Sequence, residues 1–279
     1  MMRKAIIQFT NKCNAQCRHC AYECGPKGET MNKKDIEKVL KHLPETIEYF
    51  VISGGEPLVA MDELRHMLSY IREQKLIPNA RIHVETNGFW ARDAESAYRV
   101  LKELHEFGVH GVALASMDKF HREAGINTEN LEWNPSTPIY LALERLYKET
   151  GSTRDYPIEV EAKGAVHGVL PVGRARNLPE EEFAVRSVCD ISLENEVTID
   201  PRGIAYLCCW RTIPSIGSAI DRPVDELVRE ASKDKIMQAL LEQGPEGAAK
   251  ELGVYKETDE EIYRINPCVK CEEIFRGVK

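Results

Sequence analysis

Cys13-Asn14-Ala15-Gln16-Cys17-Arg18-His19-Cys20 stands just beyond the chain's first apolar run, Lys4–Thr10, and its C-x3-C-x2-C spacing governs how the other residues are read. Three thiolates can hold three irons of a [4Fe–4S] cube and leave the fourth iron without a protein ligand. An iron left open in this way can bind a small molecule and pass it an electron. Two plainer readings are a zinc site and a set of buried thiols. Zinc more often pairs C-x2-C with a second C-x2-C or an H-x3-5-H unit, and an isolated trio would leave it incompletely held.

The chain around this run has 279 residues, enough to bury a full core as one large domain or a domain with an appendage. Its composition, 43% hydrophobic and 29% charged, is that of a globular protein, and no apolar run is long enough to span a bilayer. Asn11 and Lys12 interrupt the first apolar run at once, so no signal peptide is expected. Nine cysteines is an odd number, and their spacing is that of metal ligands. A reducing cytoplasm and iron–sulfur ligation therefore fit better than disulfides. The formal charge of −8 argues against a general binder of nucleic acid and suits a weakly basic or cationic substrate.

Strand-like runs at Lys4–Thr10, Tyr49–Ser53, Ala80–Thr86, Gly111–Ser116 and Pro157–Glu161 alternate with helix-like stretches near Asn32–Leu43, Ala60–Gln74, Asp93–Phe107 and Thr137–Thr150. In the second helical stretch Leu64, Met67, Leu68 and Ile71 recur at i, i+3, i+4 and i+7, one apolar face for a sheet. Asp93 reads as an N-cap and Gly108 as a stop. This alternation predicts an α/β fold, a parallel sheet with helices outside and ligands at the C-terminal rim of the strands. Three strand ends place small or polar residues on that rim: Gly54-Gly55-Glu56-Pro57, Glu85-Thr86-Asn87-Gly88 and Ala115-Ser116-Met117-Asp118.

The cysteine trio, with the aromatic-type His19 before its last member, followed by the GGEP turn, resembles the radical S-adenosylmethionine (SAM) superfamily. The resemblance implies a partial (β/α) barrel and a [4Fe–4S] cluster on Cys13, Cys17 and Cys20. In that family the open iron chelates the amino and carboxylate groups of SAM and reduces it to a 5′-deoxyadenosyl radical. It also implies SAM contacts from His19, from Gly54, Gly55, Glu56 and Pro57, and from Thr86, Asn87, Ser116 and Asp118. Glu56 and the glycine backbone would hold the methionyl ammonium, since glycine admits close approach and a carboxylate complements an ammonium. Pro171-Val172-Gly173-Arg174-Ala175 resembles a motif that precedes C-terminal cluster domains in this family, with Arg174 toward SAM, the substrate or a surface ion pair. The family usually has six strand–helix units and only five strands are clear here. Ala162–Leu178 reads as loop, so the barrel is shortened, as in the aminocyclitol dehydrogenase branch, or holds a further strand.

Beyond about Ser187 the character changes. Cys189, a hairpin of Glu196–Ile199 and Ile204–Cys209 around Pro201-Arg202-Gly203, helices at Val224–Glu230 and Lys235–Gln243, and a late Cys268-x2-Cys271 follow in order. This order resembles the twitch domain, a shorter relative of the SPASM domain. It implies a division into residues 1–178 and 179–279 and a second, auxiliary [4Fe–4S] cluster on Cys189, Cys208, Cys268 and Cys271. A structural zinc would use the same four thiolates. In an extended strand Cys208 and Cys209 point to opposite faces, which leaves Cys209 outside the ligand set. A thiol there suits hydrogen-atom donation, as in radical SAM epimerases, although a small buried residue is the plainer role. Cys24 competes for that role; His121 and Trp210 are weaker candidates for the pocket.

These readings converge on an enzyme that cleaves SAM and epimerises a C–H stereocentre in a ribosomal peptide or an aminoglycoside-like sugar. A flavodoxin- or ferredoxin-type protein would supply electrons, and neither nucleic acid nor membrane is expected as a partner. Dehydrogenation or thioether cross-linking is the first alternative. A non-enzymatic iron–sulfur or zinc scaffold, or an electron carrier, is the second.

Overall fold

The computed structural model describes residues 2–114, 117–151, 158–162, 169–183, 196–257 and 267–276. Side chains alternate along a strand, and β1 (Lys4–Thr10) uses the two faces for different purposes. Ala5, Ile7 and Phe9 enter the main apolar core, whereas Gln8 and Thr10 are buried polar groups on the other face. The same division runs through β2 (Tyr49–Gly54), β3 (Arg81–Thr86), β4 (Gly111–Leu114), β5 (Glu159–Ala162) and β6 (Glu196–Ile199). Phe50, Ile52, Ile82, Val84, Val112, Leu114, Val197 and Ile199 belong to the apolar core, and Ser53, Glu85 and Thr198 do not. One face of the sheet is therefore the main packing surface, and the other sets Gln8, Ser53, Glu85 and Thr198 among the buried Ile6, Val51 and Ala113.

With β7 (Ile204–Tyr206) and β8 (Gly217–Ser218) these strands form one eight-stranded sheet in the order β5-β4-β3-β2-β1-β6-β7-β8. All pairings from β5 through β1 to β6 are parallel; β6–β7 and β7–β8 are antiparallel. The helices α1 (Lys33–Lys41), α2 (Met61–Gln74), α3 (Ala94–Glu106) and α5 (Pro138–Thr150) intervene between successive parallel strands, with a short α4 (Lys119–Glu123) after β4. Asn32 and Asp93 cap α1 and α3 by accepting from the Asp35 and Ser96 amides. The predicted apolar stripe of α2 is buried in full. The alternation predicts this α/β architecture, a parallel sheet with helices between its strands, and it fits the partial barrel that the family resemblance implies.

Two expectations change. Glu196–Ile199, read as the first arm of an appended hairpin, also pairs in parallel with β1, from Lys4↔Glu196 to Ile7↔Ile199. A four-residue strand carries too little pattern to name its second neighbour. The strand expected at Ile204–Cys209 ends at Tyr206, and Cys208 and Cys209 lie in the bend and turn after it. Farther on come α6 (Val224–Ala231), α7 (Lys235–Glu251, broken at Gly244) and α8 (Pro267–Phe275). Ser116 and Cys189 lie outside the described residues. Among the described residues no helix is long and apolar enough to cross a membrane.

Candidate active site

The loop that leaves β1 is tied back to the strand end before it reaches α1. Cys13 N donates to Gly25 O (3.0 Å), Gly25 N to Asn11 O (3.1 Å) and Asn11 N to Glu29 O (2.8 Å). The β2 turn closes against the same loop. Gly55 N donates to Thr10 O (2.7 Å) and Glu56 N to Lys12 O (2.9 Å). A Cβ on Gly54 would overlap the Thr10 carbonyl, and one on Gly55 the Lys12 carbonyl. The glycines thus let two backbones touch, a contact of the chain with itself.

Within this loop Cys13 and Cys17 are buried and Cys20 half-buried. Cys13 Sγ accepts from Ala15 N (3.4 Å) and from Asn87 Nδ2 (3.8 Å). Burial pushes the Cys13 thiol up to about 11. Burial, followed by the neighbouring Cys13 and Cys20 charges, pushes Cys17 up to about 12. Cys24 donates to Cys20, which lowers Cys20 and raises Cys24. Cys24 also reaches Asn11 Oδ1 (3.7 Å). The donor set fits a cube held by three thiolates: three sulfurs on one loop, with N–H groups aimed at Cys13. Loading such a group must expel thiol protons.

Glu56 is fully buried and caps the turn that follows it, accepting from Leu58 N (3.0 Å). It also accepts from Thr86 Oγ1 (2.8 Å) and Asn87 N (2.6 Å), so the ends of β2 and β3 are joined through one carboxylate. Burial, against these three bonds, raises its pKa to about 7. Asn87 Nδ2 reaches Asn14 Oδ1 (2.9 Å) as well as Cys13, and Thr86 Oγ1 accepts from Gly88 N and Trp90 Nε1.

Asp118 caps α4 through the amides of Phe120 (2.9 Å) and His121 (3.0 Å), and its other oxygen holds His121 Nδ1 (2.8 Å). Burial pushes Asp118 up, but His121 and His19 bring it net below its ordinary value. His19 stacks on Phe120 (4.7 Å between centroids) and meets His121 edge-on (4.9 Å). Burial lowers His19 to about 4, so its ring is neutral at pH 7. Cys17, His19 and His121 place one ligand atom each within 4.8 Å of one another. That trio shares Cys17 and His19 with the cysteine loop and is part of the same site.

Arg174, expected toward SAM, the substrate or an ion pair, lies against the cysteine loop. Its Nε donates to Cys17 O (3.0 Å) and its amide to Cys20 O (3.0 Å), while Nη2 is buried with no partner. Gly173, at φ +57°, sits against the Cys20–Ala21 backbone. Pro57 is buried at the start of the turn after β2.

The second cysteine group also meets this loop. Tyr22 Oη donates to Cys209 O (2.5 Å), and the Tyr22 and Trp210 rings stack 6.3 Å apart. Cys208 Sγ lies 3.6 Å from Thr212 Oγ1. Cys268 and Cys271 are one helical turn apart on α8 and both are buried. Cys268 shares a small apolar cluster with Leu170, Val172 and Trp210. Because Cys208 and Cys209 sit in a turn, strand alternation does not assign their directions. Tyr22, which sequence reasoning passed over, is the link; its place two residues after Cys20 was the available signal.

Residues 7–133 match the model of the radical SAM superfamily. Among curated proteins, YydG of Bacillus subtilis (strain 168), provisionally named a peptide biosynthesis protein, is 24% identical over 43% of this chain and 38% of its own length. Cyclic dehypoxanthine futalosine synthase of Halalkalibacterium halodurans is 27% identical over 45% of this chain and 36% of its own. The chain thus matches under two-fifths of either relative. Among solved structures, BtrN in complex with AdoMet and 2-DOIA aligns at a TM-score of 0.55 and 14% identity, covering 88% of this chain and 89% of that one. Native anSMEcpe with bound AdoMet and Cp18Cys peptide aligns at 0.51 and 15%, covering 99% and 96%. These two likenesses are of fold.

Proposed function

We propose that this chain, whose residues 7–133 match the model of the radical SAM superfamily, is a radical SAM enzyme that epimerises a C–H stereocentre in a ribosomal peptide or an aminoglycoside-like sugar. A [4Fe–4S] cluster on Cys13, Cys17 and Cys20 would supply the electron that splits SAM into methionine and a 5′-deoxyadenosyl radical. His19, the Gly54–Pro57 turn, Thr86, Asn87, Ser116, Asp118 and Arg174 are the proposed SAM contacts. Cys209 would return a hydrogen atom to the substrate carbon after deoxyadenosine has carried off the original one. The S–H bond breaks as the new C–H bond forms, and an external flavodoxin- or ferredoxin-type donor restores the thiol with one electron and a proton. The observation that carries this reading is the Tyr22–Cys209 hydrogen bond, which pins the second cysteine turn to the loop of the first trio. Cys208, Cys268 and Cys271, with Cys189, are the proposed ligands of an auxiliary cluster.

Turnover in deuterated water tests the donor. Wild-type protein should place one deuterium at the inverted carbon without net loss of hydrogen. Cys209→Ala should still release deoxyadenosine but leave the stereocentre unchanged; continued inversion would remove Cys209 from the mechanism.

A second reading, two-electron oxidation, is favoured by the Asp118–His121 pair beside Cys17. An imidazole held by a carboxylate can take the proton from a substrate radical on its way to a double bond, while the remaining electron would pass to the proposed auxiliary cluster. Product mass separates the two, because oxidation loses two hydrogens and epimerisation loses none.

A further inference from the structure

The polar side chains on the second face of the sheet lie outside its apolar core. Below the rim, Gln8 pairs in register with Ser53, and Glu85 with Ala113. Ser53 Oγ donates to Glu85 (2.7 Å), which joins the two pairs into one row across β1, β2 and β3. Gln8 is 3% exposed and Thr198 0% exposed, yet Gln8 Oε1 and Thr198 Oγ1 have no hydrogen-bond partner. Buried acceptors without donors are costly, and a ligand that brings donors removes the cost. Glu85 has no cationic partner among the described residues. The nearby cation, Arg211, lies over the Tyr22 ring at 4.4 Å and is ion-paired with buried Asp200 at 3.8 Å. Tyr22 in turn interacts with both Gln8 and Glu85. The row therefore lies next to the residue that holds the Cys209 turn.

We propose that the row Gln8–Ser53–Glu85 anchors the substrate and takes a protonated amine. An ammonium offers N–H donors to the unpartnered amide oxygen and a charge to the carboxylate, and hydrogen bonds to charged groups are the strong ones. The inference rests on the radical SAM reading and narrows its substrates to those with an amine near the reacting carbon. Both an aminosugar and a basic side chain of a peptide carry that group.

The test is calorimetric binding to cluster-loaded protein with SAM and no reductant. The probes are a diamino cyclitol and a short peptide whose lone amine is a lysine side chain, each beside its N-acetylated form. At least one amine should bind, with the acetylated form roughly tenfold weaker or worse; the probe that binds identifies the source. Glu85→Gln should erase the difference between amine and amide. Failure of both amines, or equal binding of amine and amide to wild type, overturns the proposal, as does an unaltered preference in Glu85→Gln. Should Glu85→Gln unfold, Gln8→Leu must weaken the amine severalfold, and an unchanged affinity is again fatal. Deoxyadenosine release by dithionite without substrate tests the radical SAM reading separately.

Discussion

Single side chains at this site do two things at once, and Glu56 is the clearest case. Its carboxylate joins the ends of β2 and β3, yet its complete burial favours the protonated form. A carboxyl whose pKa rises from an ordinary 4.5 to about 7 on folding contributes stability below pH 4.5. That contribution is lost as the pH climbs through 7. Glu56→Gln cannot ionise and has no such slope. Urea midpoints of the iron-free chain should therefore show wild type losing on the order of 3 kcal/mol relative to Glu56→Gln between pH 4.5 and 8. Parallel profiles would mean that the accepted hydrogen bonds outweigh burial and keep Glu56 ionised. Glu56→Ala should be worse than Glu56→Gln at every pH, since it strands buried donors on Thr86 and Asn87 at roughly 1–3 kcal/mol each.

At the scale of elements, the site depends on backbone segments that close on one another without intervening side chains. The 171–174 segment reaches the cysteine loop only because Gly173 has no Cβ and takes φ +57°. Gly173→Ala adds a left-handed alanine and an overlap with the Ala21 carbonyl, at a cost of about 1–3 kcal/mol. It should also lower iron per chain after reconstitution. Gly151→Ala, at φ +64° in open space, carries the backbone penalty alone. Iron analysis beside thermal melts separates the two, and equal iron content in both variants would show that the closure is not needed to load the loop. Helices α1, α2, α3 and α5 were legible because their caps and apolar stripes are local signals. The cysteine trio and the rim turns were legible as motifs. What they touch was not: Arg174 meets carbonyls 157 and 154 residues away in the chain, and no periodicity encodes that. The helix expected at Lys235–Gln243 is longer than that. After the break at Gly244, Pro245 suits the first turn of a helix, and the chain resumes to Glu251.

Over the whole molecule the question is whether the residues on either side of 178 unfold together. β1 is the hinge of the answer, because it pairs with β2 on one edge and with β6 on the other. Its core face and those of Val197 and Ile199 share one apolar cluster, and α7 adds Met237 and Leu240 to it. A sheet continuous across that boundary has no free β1 edge while β6 is in place; removing β6 exposes a long parallel strand to water and to other chains. The second cysteine group is then fixed relative to the first by the strands that precede it, as the proposed reaction requires. Native-state hydrogen exchange measures this directly. Amides of β1 and β6 should exchange with the same opening free energy and respond to urea with the same slope. If residues 196–206 opened at lower denaturant while β1 kept its protection, the C-terminal part would be a separate folding unit. The contacts of Tyr22 with Cys209, Trp210 and Arg211 would then tie the two cysteine groups together.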